Sequence, residues 1–165
     1  AIPAGAKDAS KVFVRFSSEV YNRWDFNAAT GKYLRFSDNE SDPSGKNPVY
    51  VPSMDGLTKK QHGADNLIVI MASTVELDPR PSVELLDTNL VGTGKAWIFR
   101  DGKMVEGSWK RASNTELLTF VDANGKAIAL KPGQTWFQVL TNASTSTAEG
   151  SEYRFEWKQE WASGT

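Results

Sequence analysis

Residues 95–109 read KAWIFRDGKMVEGSW, and this stretch has the pattern of a β-hairpin. Apolar and polar side chains alternate on both sides of Asp101-Gly102, which is the two-residue period of a strand. An Asp-Gly dipeptide readily takes the positive φ angles of a type I′ turn, whose twist matches that of paired strands. The sequence therefore predicts a two-residue hairpin turn at Asp101-Gly102.

The same period extends outward from this hairpin through most of the chain. Residues 67–71 are apolar on both faces, as expected of a central strand that is covered on two sides. A helix is indicated only weakly, at residues 54–62. We expect a mainly β fold, which would be an antiparallel sheet, a sandwich or a partly open barrel built from hairpins, with few short helices. The other predicted strands lie at residues 12–16, 20–26, 32–36, 83–87, 117–121, 126–130 and 135–140.

Chain length is consistent with one domain. There are 165 residues, within the usual size of a single domain. We expect one β domain at residues 1–142, interrupted by a long loop at 37–65 that is rich in Pro, Gly, Ser and Asp. The chain starts at Ala1 without an initiator Met, so we expect a processed end or a domain of a longer protein.

The last part of the chain is expected to stand apart from this domain, with residues 143–165 forming a linker and an amphipathic strand. Residues 142–150 are rich in Ser, Thr, Ala and Gly, which is typical of a flexible linker. After them, Tyr153 and Phe155 alternate with charged residues. A strand with an aromatic face and unpaired backbone is predicted to join a sheet edge, in its own domain or in another copy. Self-association through residues 152–161 is one expected outcome.

Composition excludes several classes of function. Cysteine is absent, which excludes a disulfide framework, a thiolate metal site and a cysteine nucleophile. With 19 basic and 20 acidic residues the net charge is -1, so no nucleic-acid partner is expected. The longest apolar run, residues 67–72, is far shorter than the ~20 residues of a membrane helix, so no transmembrane segment is expected.

Candidate catalytic and metal-binding residues are few. His62 is the only histidine, and no Gly-x-Ser-x-Gly motif accompanies it, so a solvated loop histidine is expected. Asp38, Glu40 and Asp42 alternate as in a calcium loop, but the terminal bidentate Glu of such a loop is missing. A solvated acidic loop is the expectation there, and cation binding by it stays open. We predict no catalytic residue, no metal site and no cofactor.

A binding site is suggested by aromatic residues beside an arginine. Trp24, Tyr33 and Arg35 fall on two strands of one predicted hairpin, where exposed rings and a guanidinium can stack on a sugar or hold a peptide. Packing in the core is the competing explanation for the aromatic residues.

A series of short motifs resembles the C-terminal domain of the YerB family of bacterial lipoproteins over about residues 11–140. The segment WDFNAATGKYLR, residues 24–35, is similar to that family's aromatic hairpin, and DNLIV, residues 65–69, resembles its Asn-led central strand. The further motifs, in order, are GTGKA at 92–96, RDGK at 100–103, GSWKR at 107–111, DANGK at 122–126 and LKPGQTW at 130–136.

This resemblance implies a location outside the cytoplasm, usually through a lipid anchor, an N-terminal companion domain and no established activity. It adds Asp55 and Asn66 to the tentative ligand-binding set of Trp24, Tyr33 and Arg35. The chain departs from the family pattern at Phe26-Asn27, where Tyr-Asp is usual, and at residues 53–55, where His-x-Asp is usual. Any ligand held by those polar groups would be altered here.

Taken together, these features favour a non-enzymatic binding or structural module of the bacterial cell envelope, located outside the cytoplasm. Its expected partner is an envelope glycan, a peptide or a protein. One alternative is a subunit of a surface assembly that uses the C-terminal strand. The other is a glycan-acting enzyme that uses the carboxylates of Asp55 and Asp65 with Arg35, provided that the carboxylates lie about 5–10 Å apart.

Overall fold

A computed structural model describes residues 2–3, 5–38, 46–78, 80 and 85–161. These residues contain fifteen strands and no helix, and therefore no helix that is able to cross a membrane. In chain order the strands are β1 (Lys7–Asp8), β2 (Lys11–Arg15), β3 (Tyr21–Asn27), β4 (Lys32–Asp38), β5 (Tyr50–Pro52), β6 (Gly63–Ala64), β7 (Asn66–Ala72), β8 (Thr74–Asp78), β9 (Leu85–Thr88), β10 (Gly92–Arg100), β11 (Lys103–Arg111), β12 (Thr119–Val121), β13 (Thr135–Thr141), β14 (Thr145–Glu149) and β15 (Glu152–Glu156).

The strands form two sheets that pack as a sandwich, which confirms the predicted fold class. Sheet A has the order β1-β11-β10-β7-β13, with β12 also paired to β11. Sheet B has the order β14-β15-β2-β3-β4-β5, with β6 also paired to β4, while β8 and β9 form a separate hairpin. Two pairs, β7 with β13 and β2 with β15, are parallel, so the sheets are mixed rather than built from hairpins alone.

Strand β7 is buried on both faces, as its sequence predicts. Leu67 and Val69 belong to the core between the sheets, where they join aromatic residues of sheet B. Ile68 and Ile70 belong to a second apolar cluster on the other face of sheet A, which is covered by residues 118–130. All seven residues of β7 are buried, because apolar layers enclose the strand from both sides.

The predicted turn at Asp101-Gly102 is present between β10 and β11. Both residues have positive φ, 52° and 71°, and Arg100 pairs with Lys103 across the turn. This is the backbone conformation that a type I′ turn requires, so the prediction is confirmed.

Two local expectations are corrected by the structure. Residues 54–62 form a turn closed by a bridge between Met54 and Gln61, because the Asp55 carboxylate accepts the amides of Leu57 and Thr58. The predicted strands at residues 117–121 and 126–130 are joined by a turn, but residues 126–130 form no strand and contribute only the bridge between Val121 and Ala127. The long loop at 37–65 contains two short strands, β5 and β6. Glu40 and Asp42 of the expected acidic loop lie outside the described residues, as do Val83 and Glu84 of the predicted strand at 83–87.

The segment expected to be a linker is strand β14. It pairs antiparallel with β15 through a tight turn in which Gly150 has a φ of 58°. Strand β15 lies between β14 and β2, so both of its backbone edges are paired within the same chain. Tyr153 and Phe155 are buried against sheet A, which explains the aromatic face of this strand. Pairing between copies through residues 152–161 stays a prediction.

Candidate functional site: a cleft at the open edge of the sandwich

A cleft of about 550 Å³ lies where the edge strand of sheet A faces the short strands of sheet B. One wall is formed by residues 134–136 at the start of β13. The other wall consists of residues 60–64, together with Asp55 and Thr58 from the preceding turn. We call this feature the open-edge cleft, and its volume is within the usual range of small-ligand sites.

The aromatic surface of the open-edge cleft is the indole of Trp136. This ring packs edge-on against the fully buried Trp24, with 5.1 Å between centroids. The His62 ring is 6.2 Å away, and the guanidinium carbon of Arg35 lies 5.3 Å from the indole centroid. Trp136 remains 36% exposed, so part of its face is available to a ligand.

A chain of polar contacts runs along the cleft from Arg35 to Asp55. Arg35 Nη1 donates to Ser53 Oγ at 2.6 Å, and Ser53 Oγ lies 3.1 Å from His62 Nδ1. Either atom of the Ser53–His62 contact can be the donor, according to the tautomer of His62. His62 Nε2 faces Asp55 Oδ2, which lies 3.9 Å away.

Arg35 is a half-buried cation without a carboxylate close by. Burial lowers the pKa of its guanidinium, while the more distant Asp38 acts in the opposite direction. Among the described residues no carboxylate oxygen lies within 4.0 Å of Arg35, and its Nε is buried with no acceptor. On the outer face of the same sheet, in contrast, Arg23 makes two hydrogen bonds to Asp25.

Asp55 is held in its charged form by the turn that it caps. The backbone and hydroxyl donors of Thr58 and the amide of Leu57 bind Oδ1, and they lower the pKa of the Asp55 carboxyl. The nearby His62 acts in the same direction. This carboxylate is therefore an acceptor whose oxygen Oδ1 is already occupied.

The wall that carries Trp136 is held in place by Asp65 and Asn66. Asp65 Oδ2 accepts from Lys32 Nζ and from the Gln134 amide, both at 2.9 Å, and these contacts lower the pKa of the Asp65 carboxyl. The buried Asn66 accepts from the Lys131 amide and donates to the Lys131 carbonyl, each at 2.8 Å. Asn66 thus positions residues 131–135 and does not line the cleft.

The structure separates the five predicted site residues into two groups. Asp55 lines the cleft, and Arg35 lies beside it, near the ring of Trp136 and connected to Asp55 only through Ser53 and His62. The expectation of exposed rings is wrong for Trp24 and Tyr33, which are both fully buried in the core. Tyr33 donates its hydroxyl proton to the Ala9 carbonyl at 2.8 Å, and desolvation raises the pKa of Tyr33.

Sequence reasoning missed Ser53, His62 and Trp136 as cleft residues. Trp136 was expected in the core and His62 in a solvated loop, and no local motif connects the three positions. They meet only because β4 pairs with β6 while β13 lies at the edge of the opposite sheet. The described residues contain no group of three His, Asp or Glu side chains that is able to hold a metal ion.

The fold and the cleft define an all-β sandwich domain with an aromatic and cationic cleft at one edge. Residues 12–137 match the family described as protein of unknown function (DUF3048), C-terminal domain, and the chain belongs to this family.

A solved structure with the same fold is the crystal structure of YerB protein from Bacillus subtilis. The TM-score is 0.64 at 22% sequence identity, over 86% of this chain and 43% of that chain. The resemblance to a YerB-like domain is thereby confirmed for the family and the fold. This chain spans less than half the length of the YerB chain.

A local sequence similarity links the chain to a different kind of protein. It is 33% identical over 82 residues to tRNA pseudouridine synthase D of Pseudomonas aeruginosa, in the strains LESB58 and UCBPP-PA14. The matched region is 48% of this chain and only 23% of those proteins.

Proposed function

We propose that the domain is a non-enzymatic binding module of the bacterial cell envelope, located outside the cytoplasm, and that its ligand binds in the open-edge cleft. The observation that carries this proposal is the position of the Arg35 guanidinium over the part-exposed ring of Trp136. An indole face binds the flat apolar side of a sugar or peptide, and a guanidinium provides charge-assisted hydrogen bonds.

The location outside the cytoplasm is supported by the relation to YerB-like proteins. The sequence motifs resemble those of the YerB family, for which a lipid-anchored location is the expectation stated above, and the fold is similar to that of YerB from Bacillus subtilis. A lipid anchor, or a companion domain of a longer protein, would hold the module at the cell surface. Its ligand would then be an envelope glycan, a peptide or a protein.

Binding is favoured over glycan cleavage by the state of the carboxylates. Glycoside hydrolysis of the usual kind needs a protonated carboxylic acid, whose pKa is raised by its surroundings. The pKa values of Asp55 and Asp65 are both lowered by hydrogen bonds. Asp65 also accepts hydrogen bonds from Lys32 and from the Gln134 amide, so it has a structural role in the cleft wall. Neither residue therefore has the raised pKa that the general acid of such a reaction needs.

A titration followed by NMR tests the proposal. Soluble muropeptides from digested peptidoglycan are added to the labelled domain, and the indole N–H signal of Trp136 is followed. We expect this signal to shift saturably, and we expect Trp136→Ala and Arg35→Gln to weaken binding at least about tenfold.

The adjacent Phe137 offers a matched control. It is 42% exposed but packs against Phe120 on the opposite face of sheet A, so Phe137→Ala should leave the affinity unchanged. Equal losses for Phe137→Ala and Trp136→Ala would contradict a ligand in the cleft.

A further inference from the structure

Strand β13 is the last strand of sheet A, and its first residues, Thr135–Phe137, are more exposed than Gln138, Leu140 and Thr141, which are buried. It pairs with β7 along all seven residues, and no described strand pairs with its other side. Its sequence, TWFQVLT, contains no charged residue and no proline, and its register has no bulge. Natural proteins usually protect an edge of this kind with charges, proline or irregularity, because its free amides and carbonyls bind other strands.

The strands at the other ends of the two sheets, β1, β5 and β14, are shorter or carry a charge or a proline. Strand β1 has only two residues, and both are charged. Strand β5 has three residues and contains Pro52, which has no amide proton to donate. Strand β14 exposes five polar or small side chains, one of them Glu149. The contrast marks β13 as the edge where strand addition is not opposed.

The free edge of β13 borders the open-edge cleft. Thr135 and Trp136 belong to the strand and also line the cleft, with Gly63 and Ala64 on the opposite wall. A peptide added to β13 would place alternate side chains on the cleft side, because successive side chains of a strand point to opposite faces.

The charged side chains in and beside the cleft favour a partner that carries an acidic residue. Arg35 has no carboxylate within 4.0 Å among the described residues, and the cleft wall also carries Lys60. The Asp55 carboxylate has its oxygen Oδ1 occupied by the Thr58 and Leu57 donors. An acidic side chain of the peptide would bring a carboxylate to this half-buried guanidinium, which has none within 4.0 Å among the described residues.

We infer that the partner is an extended acidic peptide segment of another protein, which adds as a strand to β13 and places a carboxylate on Arg35. This inference rests on the proposed function, because it names the ligand of the same cleft. Main-chain hydrogen bonds to β13 provide affinity that is independent of sequence, and the contact with Arg35 provides selectivity for an acidic residue.

Selection from a displayed library of random linear peptides tests the inference. The library is selected on the whole domain and counter-selected on Arg35→Gln. We expect the selected peptides to share an acidic residue within an alternating β-branched sequence. The best peptide is then synthesised together with two relatives, one with Gln in place of its acidic residue and one N-methylated at alternate amides.

Hydrogen exchange provides the decisive measurement. The peptide should slow exchange of alternate amides of residues 135–141, namely those that face away from β7. The Gln peptide and the Arg35→Gln domain should each lower the affinity about tenfold, and the N-methylated peptide should lose binding. As a control, Arg80→Gln, which removes an exposed arginine outside the cleft, should not change the affinity.

Other outcomes overturn the inference. Binding without protection of residues 135–141, or equal binding of the N-methylated peptide, excludes strand addition. Peptides without an acidic residue exclude the role of Arg35. If no peptide is selected while chitin oligosaccharides shift the Trp136 signal, the cleft binds a glycan, and the proposed function survives alone. If neither probe perturbs Trp136, both proposals fail. Concentration-dependent dimerisation that protects residues 135–141 would make a second copy the occupant.

Discussion

Two aromatic regions of the sandwich look alike in sequence and differ in what surrounds them. In the interior, Phe99 contacts the rings of Tyr33, Tyr153 and Phe155 at centroid distances of 6.2, 5.3 and 6.2 Å, and all four side chains are buried. At the open-edge cleft, Trp136 instead contacts His62 and Arg35 and stays partly exposed.

The two regions differ in how far neighbouring strands cover the rings and in whether the nearby polar atoms have hydrogen-bond partners. In the interior cluster the hydroxyls of Tyr33 and Tyr153 donate to the carbonyls of Ala9 and Asp8, so the rings are buried without an unsatisfied group. At the cleft β13 is the last strand of its sheet, and the neighbouring Arg35 Nε has no acceptor among the described residues. An aromatic residue therefore becomes part of a site when the edge leaves both its ring and its polar neighbours incompletely covered.

The largest expected effect is a difference in stability loss between a substitution in the interior cluster and one at the cleft. We expect Phe99→Ala to lower the free energy of unfolding by about 3–5 kcal/mol, because it leaves a cavity among three aromatic rings. Trp136→Ala should cost about 2 kcal/mol or less, because its ring is partly solvated already. Chemical denaturation of both variants measures the difference. A loss for Trp136→Ala as large as that for Phe99→Ala would make Trp136 a core residue, which would weaken the comparison.

The next largest loss of stability is expected for a substitution at Gly102, in the hairpin turn beside the interior cluster. Gly102 has a φ of 71°, and a Cβ there would lie 2.8 Å from the ring of Phe26. We expect Gly102→Val to destabilise the domain by about 2 kcal/mol or more, since a β-branched residue resists this φ and also meets the ring.

Gly125 is the matched control for that variant, because it has a φ of 77° and no heavy atom within 4 Å of an added Cβ. Gly125→Val should incur the backbone strain alone and lower the melting temperature less than Gly102→Val does. Equal losses would show that the contact with Phe26 contributes nothing.

A smaller effect, and one that depends on pH, is expected for the wall of the cleft. Asp65→Asn weakens the contacts with Lys32 and the Gln134 amide and should cost about 1–2 kcal/mol at neutral pH. The pKa of Asp65 is lowered in the folded state, so its contribution is complete above the ordinary carboxyl pKa and is lost as the pH falls through the folded value.

Thermal melts at pH 6 and near pH 2–3 test this sign. The gap between the natural domain and Asp65→Asn should be wide at the higher pH and narrow at the lower one. A gap that widens on acidification would contradict the assignment of Asp65 as a charged partner of Lys32.

The smallest effect on stability is expected at the centre of the proposed site. Arg35→Ala should change the free energy of unfolding by no more than about 1 kcal/mol, because the guanidinium is only half-buried and has no carboxylate within 4.0 Å among the described residues. The same variant should lose most of its affinity in the muropeptide and peptide titrations. A large loss of stability would identify Arg35 as a structural residue and would remove it from the site.

Part of the site was accessible from sequence and part was not. Arg35 was predicted because it lies beside aromatic residues of one predicted hairpin, and Asp55 because of the family resemblance at residues 53–55. Trp24 and Trp136 cannot be distinguished by pattern, since each is an aromatic residue in an alternating strand. The structure shows that one is in the core and the other at the edge.

By itself, the sequence determined the features that depend on near neighbours along the chain. The turn at Asp101-Gly102 requires two residues that accept positive φ, and the burial of residues 67–71 requires apolar side chains on both faces. Only the tertiary structure decided that β13 runs parallel to β7, that residues 142–150 contain a strand, and that Ser53, His62 and Trp136 meet. These features depend on pairing between distant segments and on which strand lies last in its sheet. The alternation of apolar and polar residues along the chain carries no information about either.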